Sequence, residues 1–226
     1  MKLSLTGLFA LLSLIAVAQQ KPETQKLVVI NSYSQYLTSV KTNPNNELVE
    51  LKKAIPNIRL DIRYATSNNF MKQVMYKQAR AFARKPVVES LKKIQTELNK
   101  KGYGLKIFDA YRPYAITVAF YKKASDKNFV ANPNKGSKHN RGCAVDLTLI
   151  NLKTGQEIPM PTPYDSFAAA AAANYEALSP EIKKNRSFLI AVMQKHDFKV
   201  LANEWWHFDF NGWQNYALMD IPFEKL

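Results

Sequence analysis

Ser137-Lys138-His139-Asn140-Arg141-Gly142-Cys143-Ala144-Val145-Asp146-Leu147-Thr148-Leu149-Ile150 is the stretch whose reading decides the fold. From Cys143 to Ile150 it reads as a buried strand. A period of two puts Ala144, Asp146 and Thr148 on one face, and Cys143, Val145, Leu147 and Leu149 on the other. Asp146 is then a carboxylate projecting from an otherwise apolar strand, which is costly unless it is paired or holds a metal. His139 lies in the loop just before, and Gly142 allows a tight entry into the strand.

Working outward, the neighbouring segments mix strands and helices. Ile58, Leu60, Ile62 and Tyr64 alternate with Asn57, Arg59, Asp61 and Arg63, the pattern of a half-buried strand. Pro86 opens a helix whose apolar face is Val87, Leu91, Ile94 and Leu98, ending before Gly102. Leu105 to Phe108 predicts a short strand, and Tyr114 to Lys123 a helix. Residues 124–138 are polar and form a loop. The six alanines Ala168 to Ala173 suit either a helix or a small-residue loop. Ser179-Pro180-Glu181 starts a helix running to about Lys195. Phe198 to Leu201 and Trp206 to Phe210 predict a final pair of strands. Without a regular βαβ repeat, the order predicts an α+β domain with a mostly antiparallel central sheet flanked by helices.

Near the C-terminus stands Glu204-Trp205-Trp206-His207. On the last strand His207 shares its face with Asp209. The chain has three histidines, and two of them, His139 and His207, fall in these two segments. Two imidazoles and the Asp146 carboxylate make three protein ligands with an open fourth position, the pattern of a catalytic zinc site. Zinc lowers the pKa of its water to about 7, and a nearby carboxylate such as Glu204 can take the proton. Taken singly, each segment has a plainer reading: a loop histidine is usually a hydrogen-bonding residue, and Asp146 could pair with an arginine. Finding both halves in one chain favours the metal.

The 226 residues fit one domain, and a 46% hydrophobic composition is ordinary for a chain with a sizeable core. The first 18 residues read as a secretory signal: Lys2 gives a basic start, an apolar run follows, and Ala16-Val17-Ala18 is a small-x-small cleavage site. That run is shorter than the ~20 residues needed to span a bilayer. Export to the periplasm or medium, with no stable membrane span after cleavage behind Ala18, is the expectation. Cleavage removes one charged side chain, Lys2, so the formal net charge falls from +14 to +13. The lysines are scattered and no nucleic-acid module is evident, so nucleic acid is not an expected partner. Residues 19–46 read as a leader or linker, and 47–226 as the catalytic domain. Cys143 is the single cysteine, so no internal disulfide is possible.

The pattern Ser-x-His-x-x-Gly-x-Ala-x-Asp, followed by Glu-x-Trp-His, resembles the zinc D-alanyl-D-alanine peptidases. Arg63-Tyr64-Ala65-Thr66 with Asn69-Phe70, Asp109-Ala110-Tyr111-Arg112-Pro113 and Tyr164-Asp165 bring it closer to the VanX-like dipeptidases. The resemblance spans roughly Leu48 to Trp213. It implies that His139, Asp146 and His207 bind one zinc ion and that Glu204 is the general base. It further implies that Arg112 stabilises the oxyanion, that Tyr64 and Asp165 hold the substrate's ammonium, and that Ser137 orients the dipeptide. Arg112 as a structural ion pair and Asp165 as a turn residue are the plainer readings. Carboxypeptidase relatives tend to carry proline where this chain has Trp205, a bulky indole suited either to walling a small pocket or to ordinary packing. Cys143 stands where small residues are usual and reads as core packing.

The expected reaction is zinc-dependent hydrolysis of D-Ala-D-Ala or a similar small D-configured dipeptide. For an exported enzyme, peptidoglycan fragments are the expected source. The alternatives are a D,D-carboxypeptidase trimming longer wall peptides, a non-catalytic wall-binding protein, and a cysteine hydrolase using Cys143 with His139.

Overall fold

The computed structural model describes residues 27–226, so the signal-peptide reading of residues 1–18 lies outside the described residues. The strands are β1 (Val29–Ile30), β2 (Leu48–Glu50), β3 (Arg59–Leu60), β4 (Phe82–Arg84), β5 (Tyr103–Asp109), β6 (Ala144–Asn151), β7 (Phe198–Leu201), β8 (Glu204–Phe210) and β9 (Leu218–Met219). The helices are α1 (Tyr33–Thr42), α2 (Leu51–Ala54), α3 (Lys85–Asn99), α4 (Tyr114–Lys123) and α5 (Pro180–Lys195). Five strands form the central sheet in the order β3-β5-β6-β8-β7. All neighbours in it are antiparallel except β3 with β5. The α+β expectation therefore holds.

The quoted stretch becomes β6, in the middle of the sheet, and every residue from Ala144 to Ile150 is buried. It pairs with β5 along most of its length and with β8 from Ala144 to Asp146. Helix α3 presents Val87, Leu91, Ile94 and Leu98 to the core, each fully buried, and packs against β5. Ser179 caps α5 with its side chain on the Ile182 amide. Helix α5 lies against β7. Of the alanine run, Ala169–Ala171 form one 3₁₀ turn.

Three expectations are corrected. The alternation from Ile58 to Tyr64 yields regular pairing at Arg59 and Leu60 alone; the chain then turns through Arg63–Ala65. That turn buries Tyr64, whose carbonyl accepts from the Met75 and Tyr76 amides. Strand β8 begins at Glu204, two residues early, and the chain adds β9 after it.

The stretch read as linker is, from Val29 on, folded onto the domain. Val29 and Ile30 pair in parallel with Leu218 and Met219, and Ser32 caps α1. The Leu48 amide donates to the buried Tyr36 hydroxyl at 2.9 Å. Polar composition hid this, because α1 needs few inward residues to dock, Tyr36 and Val40 among them.

Candidate active site

Sheet register builds the centre. Asp146 on β6 lies directly across from His207 on β8. On its other side, a bulge after Ile107 sets Asp109 of β5 across from Asp146; such bulges re-aim side chains beside functional sites. The third residue, His139, comes from a 3₁₀ turn that ends at Gly142 with φ 68°. A Cβ on Gly142 would lie 2.7 Å from Leu48 Cδ2, so both the left-handed backbone and the close approach call for glycine.

His139 Nε2, Asp146 Oδ1 and His207 Nδ1 converge at separations of 3.1, 3.0 and 3.4 Å. Tetrahedral zinc with ligands at about 2.0–2.1 Å holds them roughly 3.3 Å apart, so this donor set fits the metal that the spacing predicts. The three residues are buried and form a cluster that could hold a metal ion. Burial opposes charge on Asp146, yet the two imidazoles outweigh it and hold the carboxyl well below its usual range. Burial likewise disfavours a charged His207, but Asp146 and Asp209 outweigh it and push the imidazole up to about 10. The site is thus built to stabilise positive charge.

Around the cluster stand the other predicted residues. Glu204 Oε2 is 3.9 Å from His207 Nδ1. Burial, with help from Asp146 and Asp165, raises its carboxyl to about 7 against the pull of His207. Arg112 is nearly buried and donates from Nε and Nη2 to Asp109 Oδ2 at 3.0 and 2.7 Å, with Nη2 4.0 Å from Asp146. Its guanidinium also lies over the rings of Phe120 and Tyr64. The Tyr64 hydroxyl donates to Asp165 at 3.0 Å. Asp165 takes a left-handed φ of 65°, which aspartate tolerates. Burial, reinforced by Asp146, pushes its carboxyl up to about 7. Ser137 accepts the His139 amide at 3.2 Å through its hydroxyl.

All eight predicted residues, His139, Asp146, His207, Glu204, Arg112, Ser137, Tyr64 and Asp165, line one cavity of about 450 Å³. Aromatic rings of Phe70, Phe120, Phe129 and Phe167 form part of its wall. Trp205 does not line it: the indole is buried and its N–H donates to Thr162 Oγ1 at 3.0 Å. Trp206 faces the cavity instead. Cys143 is fully buried, and burial pushes its thiol up to about 12, which leaves no thiolate for a cysteine hydrolase.

Sequence reasoning missed several supporting groups. Asp109 is a buried hub, accepting from Arg112, the Tyr76 hydroxyl and the Ala110 amide. The Ala110 carbonyl lies 2.7 Å from His139 Nδ1, which leaves Nε2 free to face the cluster. Tyr164 donates to Asp146 Oδ2 at 3.0 Å. Asn140 donates to the Arg112 carbonyl and accepts the Ser137 amide, tying the histidine loop to the arginine segment. Asp109 and Tyr164 sit inside segments already singled out, where a buried charge beside Arg112 was the available signal.

The profile of the D-Ala-D-Ala dipeptidase family of peptidases matches residues 44–223. The chain belongs to this family. Among its dipeptidase relatives, the D-alanyl-D-alanine dipeptidase of Escherichia coli K12 is 31% identical over 177 residues, covering 78% of this chain and 91% of the relative. The enzyme of the same name from Enterococcus faecium is 29% identical over 196 residues, covering 76% and 92%. That of Enterococcus faecalis V583 is 27% identical over 201 residues, covering 79% and 94%. Membership in the dipeptidase family makes the chain a peptidase with a small peptide substrate. The family match begins at Pro44, so β1 and α1 precede it.

Proposed function

We propose that this protein is an exported zinc dipeptidase that hydrolyses D-Ala-D-Ala or a closely similar D-configured dipeptide. The observation that carries the proposal is the convergence of His139 Nε2, Asp146 Oδ1 and His207 Nδ1 at tetrahedral spacing beside Glu204. Relatives named D-alanyl-D-alanine dipeptidase over most of their length support the substrate. One zinc ion in this site supplies Lewis acidity that makes water a competent nucleophile near neutral pH.

The chain's own residues carry the remaining steps. Glu204, with its carboxyl held near neutrality, takes a proton from the attacking water and returns it to the departing amine nitrogen as the C–N bond breaks. Arg112, fixed by Asp109, presents a permanent positive charge to the oxyanion that develops on the scissile carbonyl. Asp165, oriented by Tyr64, pairs with the substrate's free ammonium, and Ser137 contributes to orienting the dipeptide. A buried carboxylate at the ammonium end favours a free dipeptide over an acylated wall peptide, which would leave that charge unpaired.

The basic, apolar and small-residue order of the first 18 residues supports export, and peptidoglycan-derived peptides are then the natural source of substrate. The test is hydrolysis of free D-Ala-D-Ala and of N-acetyl-D-Ala-D-Ala by the zinc-loaded protein, with Glu204→Ala alongside. Cleavage of the free dipeptide alone, lost in the variant, is the expected result. Cleavage of the acetylated compound would make the protein a carboxypeptidase, and cleavage of neither would point to a binding role.

A further inference from the structure

One chain of charged groups running from the cavity wall has no task in the chemistry above. Asp209 Oδ1 lies 2.9 Å from His207 Nε2, and Asp209 Oδ2 lies 3.0 Å from Lys138 Nζ. Asp209 is two residues beyond His207, on the same face of β8, and its side chain is 14% exposed. Lys138 immediately precedes His139. The chain thus runs from the loop of one proposed ligand to the imidazole of the other.

A neutral imidazole carries one ring proton, and the protonated nitrogen cannot ligate. Both ring nitrogens of His207 face carboxylates, Nε2 facing Asp209 at 2.9 Å and Nδ1 facing Asp146 at 3.0 Å. A metal shared by Nδ1, Asp146 and His139 would displace the proton from Nδ1, and Asp209 holds the remaining one on Nε2. His139 has the opposite arrangement: the Ala110 carbonyl takes Nδ1–H, and Nε2 is bare. The two histidines therefore offer different nitrogens, each set by its own outer partner. We propose that Asp209 is a positioning residue of the metal centre: it fixes His207 in the tautomer that offers Nδ1, and Lys138 holds Asp209 in place. The inference rests on the zinc reading above and adds the ligating atoms and the group that selects them.

An aspartate–lysine pair of purely structural value contributes nothing to metal affinity. An outer-shell carboxylate on a ligating histidine is worth about 10–100-fold in metal affinity. The test is zinc affinity by competition with a chromophoric chelator at fixed pH and salt. It is read together with the ¹⁵N resonances of the His207 ring in the zinc-bound protein. Asp209→Ala weakens zinc about 10–100-fold, and Asp209→Asn, which keeps an acceptor without its charge, falls between that variant and wild type. Lys138→Met weakens zinc less than Asp209→Ala. Wild type shows His207 ligated through Nδ1 with its proton on Nε2.

Zinc affinity unchanged in both Asp209 variants, or ligation through Nε2 in wild type, overturns the proposal. If circular dichroism shows Asp209→Ala unfolded, the near-isosteric Asp209→Asn decides alone: weakened zinc supports the proposal and unchanged zinc overturns it. Wild type that binds no zinc and cleaves no dipeptide removes the functional reading and this proposal together. Wild type that binds zinc as tightly as its variants removes this proposal alone.

Discussion

Replacing Asp109 by alanine strikes the arginine without replacing any proposed metal ligand. Asp109 is 1% exposed and accepts four hydrogen bonds, two of them from Arg112 and one each from Tyr76 and the Ala110 amide. Burial opposes charge on Arg112 and Asp109 is the largest influence offsetting it, but a guanidinium is not deprotonated in proteins, so the cation persists unpaired once its partner is gone. Removing one member of a buried pair costs about 3–5 kcal/mol, since the other charge stays desolvated and unpaired. For a domain of this size each kcal/mol lowers the melting temperature by about 2–4 °C, so a fall of roughly 6–20 °C is expected. The measurement is thermal and urea unfolding in chelator, because bound zinc would add its own stabilisation and mask part of the loss. In the zinc-loaded variant at a temperature where it is folded, a guanidinium displaced by about 1 Å costs on the order of 100-fold in kcat. Adding Arg112→Met to Asp109→Leu restores part of the stability, because no unpaired charge remains, and restores no activity. An Asp109→Ala protein with wild-type melting and wild-type kcat would refute the reasoning.

Glu204→Gln keeps the shape of the base and removes its proton acceptor; kcat falls by about 10²–10⁴ while chelator competition shows zinc affinity within a few-fold of wild type. Gly142→Ala puts a Cβ 2.7 Å from Leu48 Cδ2 at a left-handed residue, so unfolding stability drops by about 1–3 kcal/mol and zinc binds more weakly as the His139 loop shifts. Asp165 is raised to about 7, which means folding takes up a proton between about pH 4 and 7, and its contribution to stability is lost as pH rises through 7. Asp165→Asn lacks that loss, so in urea unfolding its stability relative to wild type should be greater at pH 8 than at pH 5, by up to about 3 kcal/mol. The same variant binds free dipeptide poorly, seen as a raised KM.

Much of the centre was legible because its residues contradict their surroundings. Asp146 is a carboxylate in an apolar strand, and Glu204 and His207 bracket two tryptophans; β6 falls within one residue of the expected stretch, while β8 begins two residues before it. Helices α4 and α5 were readable to the residue from the Pro113 and Ser179-Pro180 starts. What stayed hidden was set by tertiary contact. No local pattern marks the bulge that brings Asp109 across from Asp146, or the Ala110 carbonyl that selects the His139 tautomer. The polar stretch before residue 47 looked detachable, since its docking depends on one buried tyrosine and a two-residue pairing with β9. Of the two readings open for Trp205, the structure takes packing, and it is Trp206 that faces the cavity.

The central claim is that His139, Asp146 and His207 hold one zinc ion that dipeptide hydrolysis requires. Titrating zinc into chelator-stripped protein while following release of D-Ala from D-Ala-D-Ala tests it most directly. The account predicts no hydrolysis in stripped protein, a linear rise to a plateau at one zinc per chain, and no rise in His139→Ala, Asp146→Ala or His207→Ala. Hydrolysis that survives stripping, or full activity in any of those three variants, would contradict it.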